Sequence, residues 1–143
     1  MPVIGVSIRK IDGERIKPID GPVEIKNNTH IVNVKEVDMQ AFNRKGLNVS
    51  FEYISEYNRE KSSYGKLNIS GDVLFIDQDK QDTIVEEWNK TKKLPKLVNI
   101  EILNSILRRC VIKSMSLSED LQLPPPITLP YATEKTTEEV KKN

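Results

Sequence analysis

Apolar and polar residues alternate with a period of two through roughly the first half of the chain, and a helical period takes over beyond it. Ile4, Val6 and Ile8 alternate with Gly5, Ser7 and Arg9, the pattern of a strand with one buried face, and Asp12-Gly13 is a dipeptide favoured in tight hairpin turns. A short return strand is therefore expected over Arg15 to Ile19, interrupted by the loop that Pro18, Gly21 and Pro22 impose. The next extended run, His30 to Met39, carries Val32 and Val34 on one face and Val37 and Met39 on the other, so a bulge is expected near Lys35-Glu36. Leu47 to Tyr57 is the clearest strand: Leu47, Val49, Phe51, Tyr53, Ser55 and Tyr57 share one face, opposite a largely polar one. A polar turn, Asn58 to Ser63, leads to a return over Tyr64 to Ile76 with Leu67, Ile69, Gly71, Val73 and Phe75 on its apolar side, so the two runs form a long antiparallel hairpin. Gly71 inside the strand marks a bulge or a close backbone approach.

After Asp77 the spacing becomes helical. Thr83 with Glu86 fits a capping box, Ile84, Val85 and Trp88 make one face of a short helix, and Pro95 is expected to end it. A linker over Leu94 to Val98 leads to a second helix with Asn99 as N-cap and a stripe of Ile100, Leu103, Leu107, Cys110 and Val111, widened by Ile102 and Ile106. Arg108, Arg109 and Lys113 are read as lying toward its C-terminal end, where positive charge suits the helix dipole. The run Leu121-Gln-Leu-Pro-Pro-Pro-Ile-Thr-Leu-Pro130 cannot be helical and forms a stiff extended arm. Its aliphatic side chains are Leu121, Leu123, Ile127 and Leu129, each worth about 1.5 kcal/mol or more when fully buried. Two readings stand for this arm: it seals a core edge, or it docks on another chain. The sum is an α+β domain over residues 1–131, a four-stranded antiparallel sheet followed by two helices packed on one face, with a charged, disordered tail over 132–143.

Composition narrows the function classes. Lys plus Arg number 22 against 21 Asp plus Glu, a balance that disfavours nucleic acid as a partner. No apolar run approaches the length of a membrane span, and the first ten residues alternate like a strand, so a soluble cytoplasmic protein is expected. The single cysteine, Cys110, excludes an intramolecular disulfide and a cysteine-cluster metal site.

Catalytic equipment is sparse. His30 is the only histidine and stands at the start of a strand without nucleophile or acid partners in a known motif, which favours a surface or edge residue over a general base. Cys110 lies on the apolar stripe and reads as a small core residue. Asp77, Asp79 and Asp82 cluster between strand and helix; oxygen ligation of a divalent cation and ordinary helix-start acidity are the two readings, and the second is the plainer. No nucleotide-binding loop or metal motif is present, and neither a metal nor a cofactor is expected. Trp88, the sole tryptophan, is either a core plug or a contact for apolar segments of a partner.

The order of a long hairpin over Leu47 to Ile76, a short helix, a connecting loop, a long amphipathic helix and the Leu121-Gln-Leu-Pro-Pro-Pro-Ile-Thr-Leu arm resembles the SecB export chaperone family, in particular SecB-like proteins outside the main bacterial group. The resemblance covers residues 1–131, with the arm and the preceding helix as its specific part. It implies a SecB-like fold assembled as a dimer of dimers, a homotetramer that captures unfolded polypeptide in apolar grooves without nucleotide or metal. Carried to this chain, the groove residues are Leu94, Pro95, Leu97 and Val98 of the helix-connecting loop, Trp88 at its approach, and Phe42 and Tyr53 from the sheet. The family's acidic surface, through which it docks the SecA motor in protein export, has no counterpart in this balanced composition, so the resemblance does not extend to such a motor. The expected function is thus an ATP-independent chaperone, not an enzyme; the alternative is a structural adaptor that docks one folded partner through the proline-rich arm.

Overall fold

The computed structural model describes residues 3–77 and 79–127, with the backbone alone at Phe42. The end of the arm, Thr128 to Pro130, and the tail expected over 132–143 lie outside the described residues. Four strands, β1 (Val3–Arg15), β2 (Glu24–Met39), β3 (Arg44–Arg59) and β4 (Ser62–Phe75), precede two helices, α1 (Gln81–Thr91) and α2 (Lys96–Asp120). The strands form one antiparallel sheet in the order β1-β4-β3-β2, with both helices on one face, the α+β layout that the residue pattern predicts.

The β3–β4 hairpin organises the core. Leu47 pairs with Phe75, Val49 with Val73, Phe51 with Gly71 and Tyr53 with Ile69, and directly opposed residues share a face. All seven of these side chains are buried, as are Tyr57 and Leu67 further along. The outer face is polar: Asp72 accepts hydrogen bonds from Arg9 Nε (3.1 Å), Asn48 Nδ2 (3.2 Å) and Ser50 Oγ (2.8 Å), and Asn68 Nδ2 donates to Glu52 (2.8 Å). The turn is tighter than the polar segment suggests, since Arg59 pairs with Ser62 and only Glu60 and Lys61 remain between them.

The edge strands depart from expectation. Asp12-Gly13 makes no hairpin: β1 runs through it, pairing Asp12 with Asn68 and Gly13 with Leu67. Turn preference is local, and the continuous ladder on β4 outweighs it. Gly13 serves packing, because a Cβ there would come within 2.9 Å of Leu121 Cδ1 and 3.0 Å of Leu67 Cδ2. Residues 16–23 are therefore a loop without a return strand, tied down by Ile16 N–H donating to Tyr64 O at 2.9 Å. β2 starts at Glu24, before His30, and its register shift falls between Ile31 and Asn33, nearer its middle than Lys35-Glu36. Val32 consequently sits exposed at the irregularity while Val34 is buried, so the two do not share a face.

Helix boundaries also shift. The Thr83–Glu86 box is not used; α1 begins earlier, where buried Gln81 accepts from Asp77 N–H through Oε1 (2.9 Å) and donates from Nε2 to Lys45 O (3.2 Å). α1 stops at Thr91, not at Pro95, because Lys92 turns left-handed (φ 57°) and its N–H bonds Trp88 O at 2.8 Å. Pro95 instead precedes α2, so Leu97 and Val98 are helical, and Asn99 lies inside the first turn with its N–H on Pro95 O (2.8 Å). α2 extends to Asp120, which places Arg108, Arg109 and Lys113 in mid-helix, away from its negative end.

The buried side of α2 is Val98, Ile102, Ile106, Cys110, Ser114 and Ser118, a strict four-residue column, whereas Ile100 and Leu107 of the expected stripe are exposed. At Ser114 a small residue leaves room for Tyr53, whose Oη lies 3.5 Å from Ser114 Oγ. Gln122 (φ 57°) ends the helix in a Schellman motif, with Leu123 N–H on Ser118 O at 2.8 Å. That turn drops Leu123 into a second apolar cluster with Tyr57 and Leu67, so the described part of the arm seals one end of the core.

Candidate functional site

Trp88 is held on the inner side of α1 and is only 5% exposed, packed in the main core with Ile84, Leu94 and Val98. Its outer rim closes a cavity of about 440 Å³ between β2, the α1–α2 loop and the first turns of α2. Thr29, His30 and Ile31 form the strand wall; Lys92, Lys93 and Leu94 form the loop wall; Asn99 and Leu103 come from α2. Thr29 and Ile31 face the helices, being paired with Tyr53 and Phe51, while His30 pairs with Glu52 and turns outward. Among the described residues β2 bonds no strand but β3, so this wall is one of the two edges of the sheet. The Trp88 indole Nε1 is buried without a hydrogen-bond partner among the described residues, and Lys92 Nζ stands 5.7 Å from the ring centroid. The cavity thus combines four apolar side chains, two lysines and a strand edge without a second partner strand among the described residues.

The residues expected to form a groove do not stay together. Trp88 and Leu94 share this cavity. Val98 and Tyr53 belong to the core of the single chain, Tyr53 only 1% exposed beneath α2. Pro95 is half-buried at the start of α2, and Leu97, 79% exposed, projects from the helix without lining the cavity. Phe42 ends the one-turn 3-10 helix after β2, at the far end of the strand from Glu24; its side chain lies outside the described part of the structure. Of the other lining residues, Leu103 stands on the stripe expected for α2 and Ile31 inside the run expected from His30, whereas Thr29 precedes that run. Leu103 follows Asn99 by one turn of α2, which brings both to the cavity, and Thr29 needed the longer β2.

Other reactive side chains are placed for structure. Cys110 is fully buried, and burial pushes its thiol up to about 11 despite the opposing Arg109 charge, so it is no thiolate nucleophile near neutrality. His30 is exposed on the edge strand. Among the described residues no group of three or more His, Cys, Asp or Glu side chains is arranged to hold a metal ion, and no helix is long and apolar enough to cross a membrane.

No protein-family model, curated protein or solved structure matches this chain.

Proposed function

We propose that this protein is an ATP-independent, SecB-like chaperone that holds non-native polypeptide in extended form, with the Trp88–Leu94–Leu103 cavity and the edge strand β2 as its client site. One observation carries the reading: a cavity with Ile31, Trp88, Leu94 and Leu103 in its wall opens directly beside a strand that has no second partner strand among the described residues. An extended client segment would add to β2 through main-chain hydrogen bonds, which every sequence offers, while alternate side chains enter the cavity. Folded proteins protect most edge strands with bulges, charges or covering elements and bury most of their apolar side chains, so they would be bound far less.

Two aliphatic side chains buried in such a cavity contribute about 3–6 kcal/mol before ordering costs. Since about −4 kcal/mol corresponds to millimolar binding, one site is weak. Retention of a long chain would then rest on several sites acting together in an oligomer. The adaptor alternative is less well supported, because Leu123 and Pro126 of the arm are buried against the chain's own sheet.

The test is suppression of aggregation. At equimolar protein without ATP, an unrelated unfolded substrate should remain soluble, and Leu103→Asp should weaken the effect. Aggregation proceeding unchanged with the wild type would sink the proposal, and a light-scattering mass near 16.4 kDa would contradict the SecB-like assembly.

A further inference from the structure

A second cleft, of about 590 Å³, separates β1 from α2 on the opposite side of the fold from the β2 cavity. Ile8 and Ile11 form its floor, and Arg108, Arg109, Ile112 and Lys113 its helical wall. Ile11 is 42% and Ile112 73% exposed, so the isoleucines are only partly covered by the fold. None of the three cations has an ion-pair partner among the described residues. From Ile102 to Ser118 the helix carries these three cations and no acidic residue, while the rest of the chain has 19 basic residues against 21 acidic ones. Arg109 and Lys113 form a like-charge i, i+4 pair, an arrangement that weakens a helix when nothing neutralises it.

We propose that this cleft binds an extended acidic peptide segment in which carboxylates alternate with aliphatic side chains. Arg109 and Lys113 are separated by about 6 Å of helix rise. Carboxylates on alternate residues of an extended chain repeat every 6.6 Å or so, which matches that spacing. The intervening aliphatic side chains point the other way, onto Ile8 and Ile11. Regular strand addition is blocked here by the register shift between Ile8 and Lys10, so recognition rests on side chains, unlike that proposed at β2.

Other occupants fit less well. A nucleic acid would leave the isoleucines unused and meet a chain of net charge +1. A second copy docked here by a two-fold axis would set Arg108, Arg109 and Lys113 against their own copies.

Fluorescence anisotropy with three labelled twelve-residue peptides tests this: alternating Glu and Val, alternating Lys and Val, and alternating Glu and Ser. The Glu–Val peptide should bind at least tenfold more tightly than either of the others. Arg108→Glu with Lys113→Glu, both at exposed positions, should abolish that preference and favour the Lys–Val peptide. Should this variant lose its circular dichroism signature, Arg108→Gln with Lys113→Gln serves, with an expected tenfold loss for the Glu–Val peptide. Equal affinity for the Glu–Val and Lys–Val peptides, or Glu–Val binding unaffected by either variant, would overturn the proposal. So would tighter, Arg108-dependent binding of phosphatidylglycerol vesicles or of a dT oligonucleotide, or a drop in light-scattering mass on charge reversal, which would identify a second copy as the occupant. Because the β2 cavity is untouched, failure of aggregation suppression leaves this cleft's proposal standing, and the reverse.

Discussion

The hydroxyl of Tyr57 donates a 2.8 Å hydrogen bond to the carbonyl oxygen of Pro124, joining the end of β3 to the proline arm that follows α2. Asn27 Nδ2 makes a second link, to Pro126 O, at 2.8 Å, and is itself positioned by Ser55 Oγ donating to its Oδ1 at 2.7 Å. Proline carbonyls are well suited to this. Each proline's fixed φ restricts the backbone that carries the carbonyl, so less freedom is lost when the bond forms.

Tyr57→Phe keeps the buried ring and removes only the donor. The Pro124 carbonyl then loses its partner in a half-buried setting, at a cost of about 1 kcal/mol. Urea unfolding should show that loss, and limited proteolysis should cut sooner in the arm. A variant as stable and as resistant as the wild type would mean the arm is held by Leu123 packing alone.

Alkaline pH should probe the same hydroxyl. Burial, with the neighbouring Tyr53 adding to it, pushes Tyr57 up to about 12. In the unfolded chain tyrosine ionises near pH 10. The unfolded state therefore releases its proton first: this part of the stability is intact below about pH 10 and declines as pH rises toward 12. Two units set a ceiling of about 2.7 kcal/mol. Urea midpoints measured across pH 9 to 11.5 should fall less steeply for Tyr57→Phe, and parallel curves would rule out the tyrosine as the cause.

Cys110 behaves alike at a lower pH, with burial raising its thiol from 9.0 to about 11. At pH 8 its thiolate fraction is about a hundredfold smaller than in the unfolded chain, before steric protection is counted. A thiol-specific disulfide reagent should react with the native protein only as fast as the fold opens, and at once in guanidinium. Rapid native labelling would show that α2 lifts from the sheet.

What the chain's pattern revealed follows burial. β3 and β4 lie under the helices with one wet face, so hydrophobic alternation and structure coincide from Leu47 to Phe75. The edge strands were harder to read. The first half of β2, Glu24 to His30, holds a single aliphatic residue, Ile25, and is a strand because β3 offers a partner ladder along its full length. That half carries Thr29, ahead of the run expected from His30, and nothing in the residue pattern places β2 against Trp88 and Leu94. On α2 the signal misled, since Ser114 and Ser118 are buried while Ile100 and Ile112 face outward.

Gly71 tests the centre of the sheet. A Cβ there would collide with the Ser7 carbonyl oxygen and come within 3.0 Å of Phe51 Cζ and of Ile8 Cα, two of these three atoms being backbone. Gly71→Ala should therefore destabilise by about 1–3 kcal/mol or more, despite alanine's ordinary tolerance in strands. A variant within about 0.5 kcal/mol of the wild type would mean β1 can move away from β4 at this point.

The column of residues that α2 buries can be tested with alanine substitutions one face apart. Ile102 is fully buried between the helix and the sheet, so Ile102→Ala removes apolar contact and leaves a cavity, at a cost of about 2–5 kcal/mol. Ile100, two residues earlier, is 46% exposed, and Leu97 79%; each alanine variant should stay within about 0.5–1 kcal/mol of the wild type. The contrast is informative because the apolar pattern alone assigns Ile100 and Ile102 to the same wide stripe. Comparable losses at Ile100 and Ile102 would mean that a neighbouring copy covers the outer face of α2 in solution, and the Ile100 loss should then grow with protein concentration. A loss at Ile100 independent of concentration would instead require α2 to be rotated about its axis.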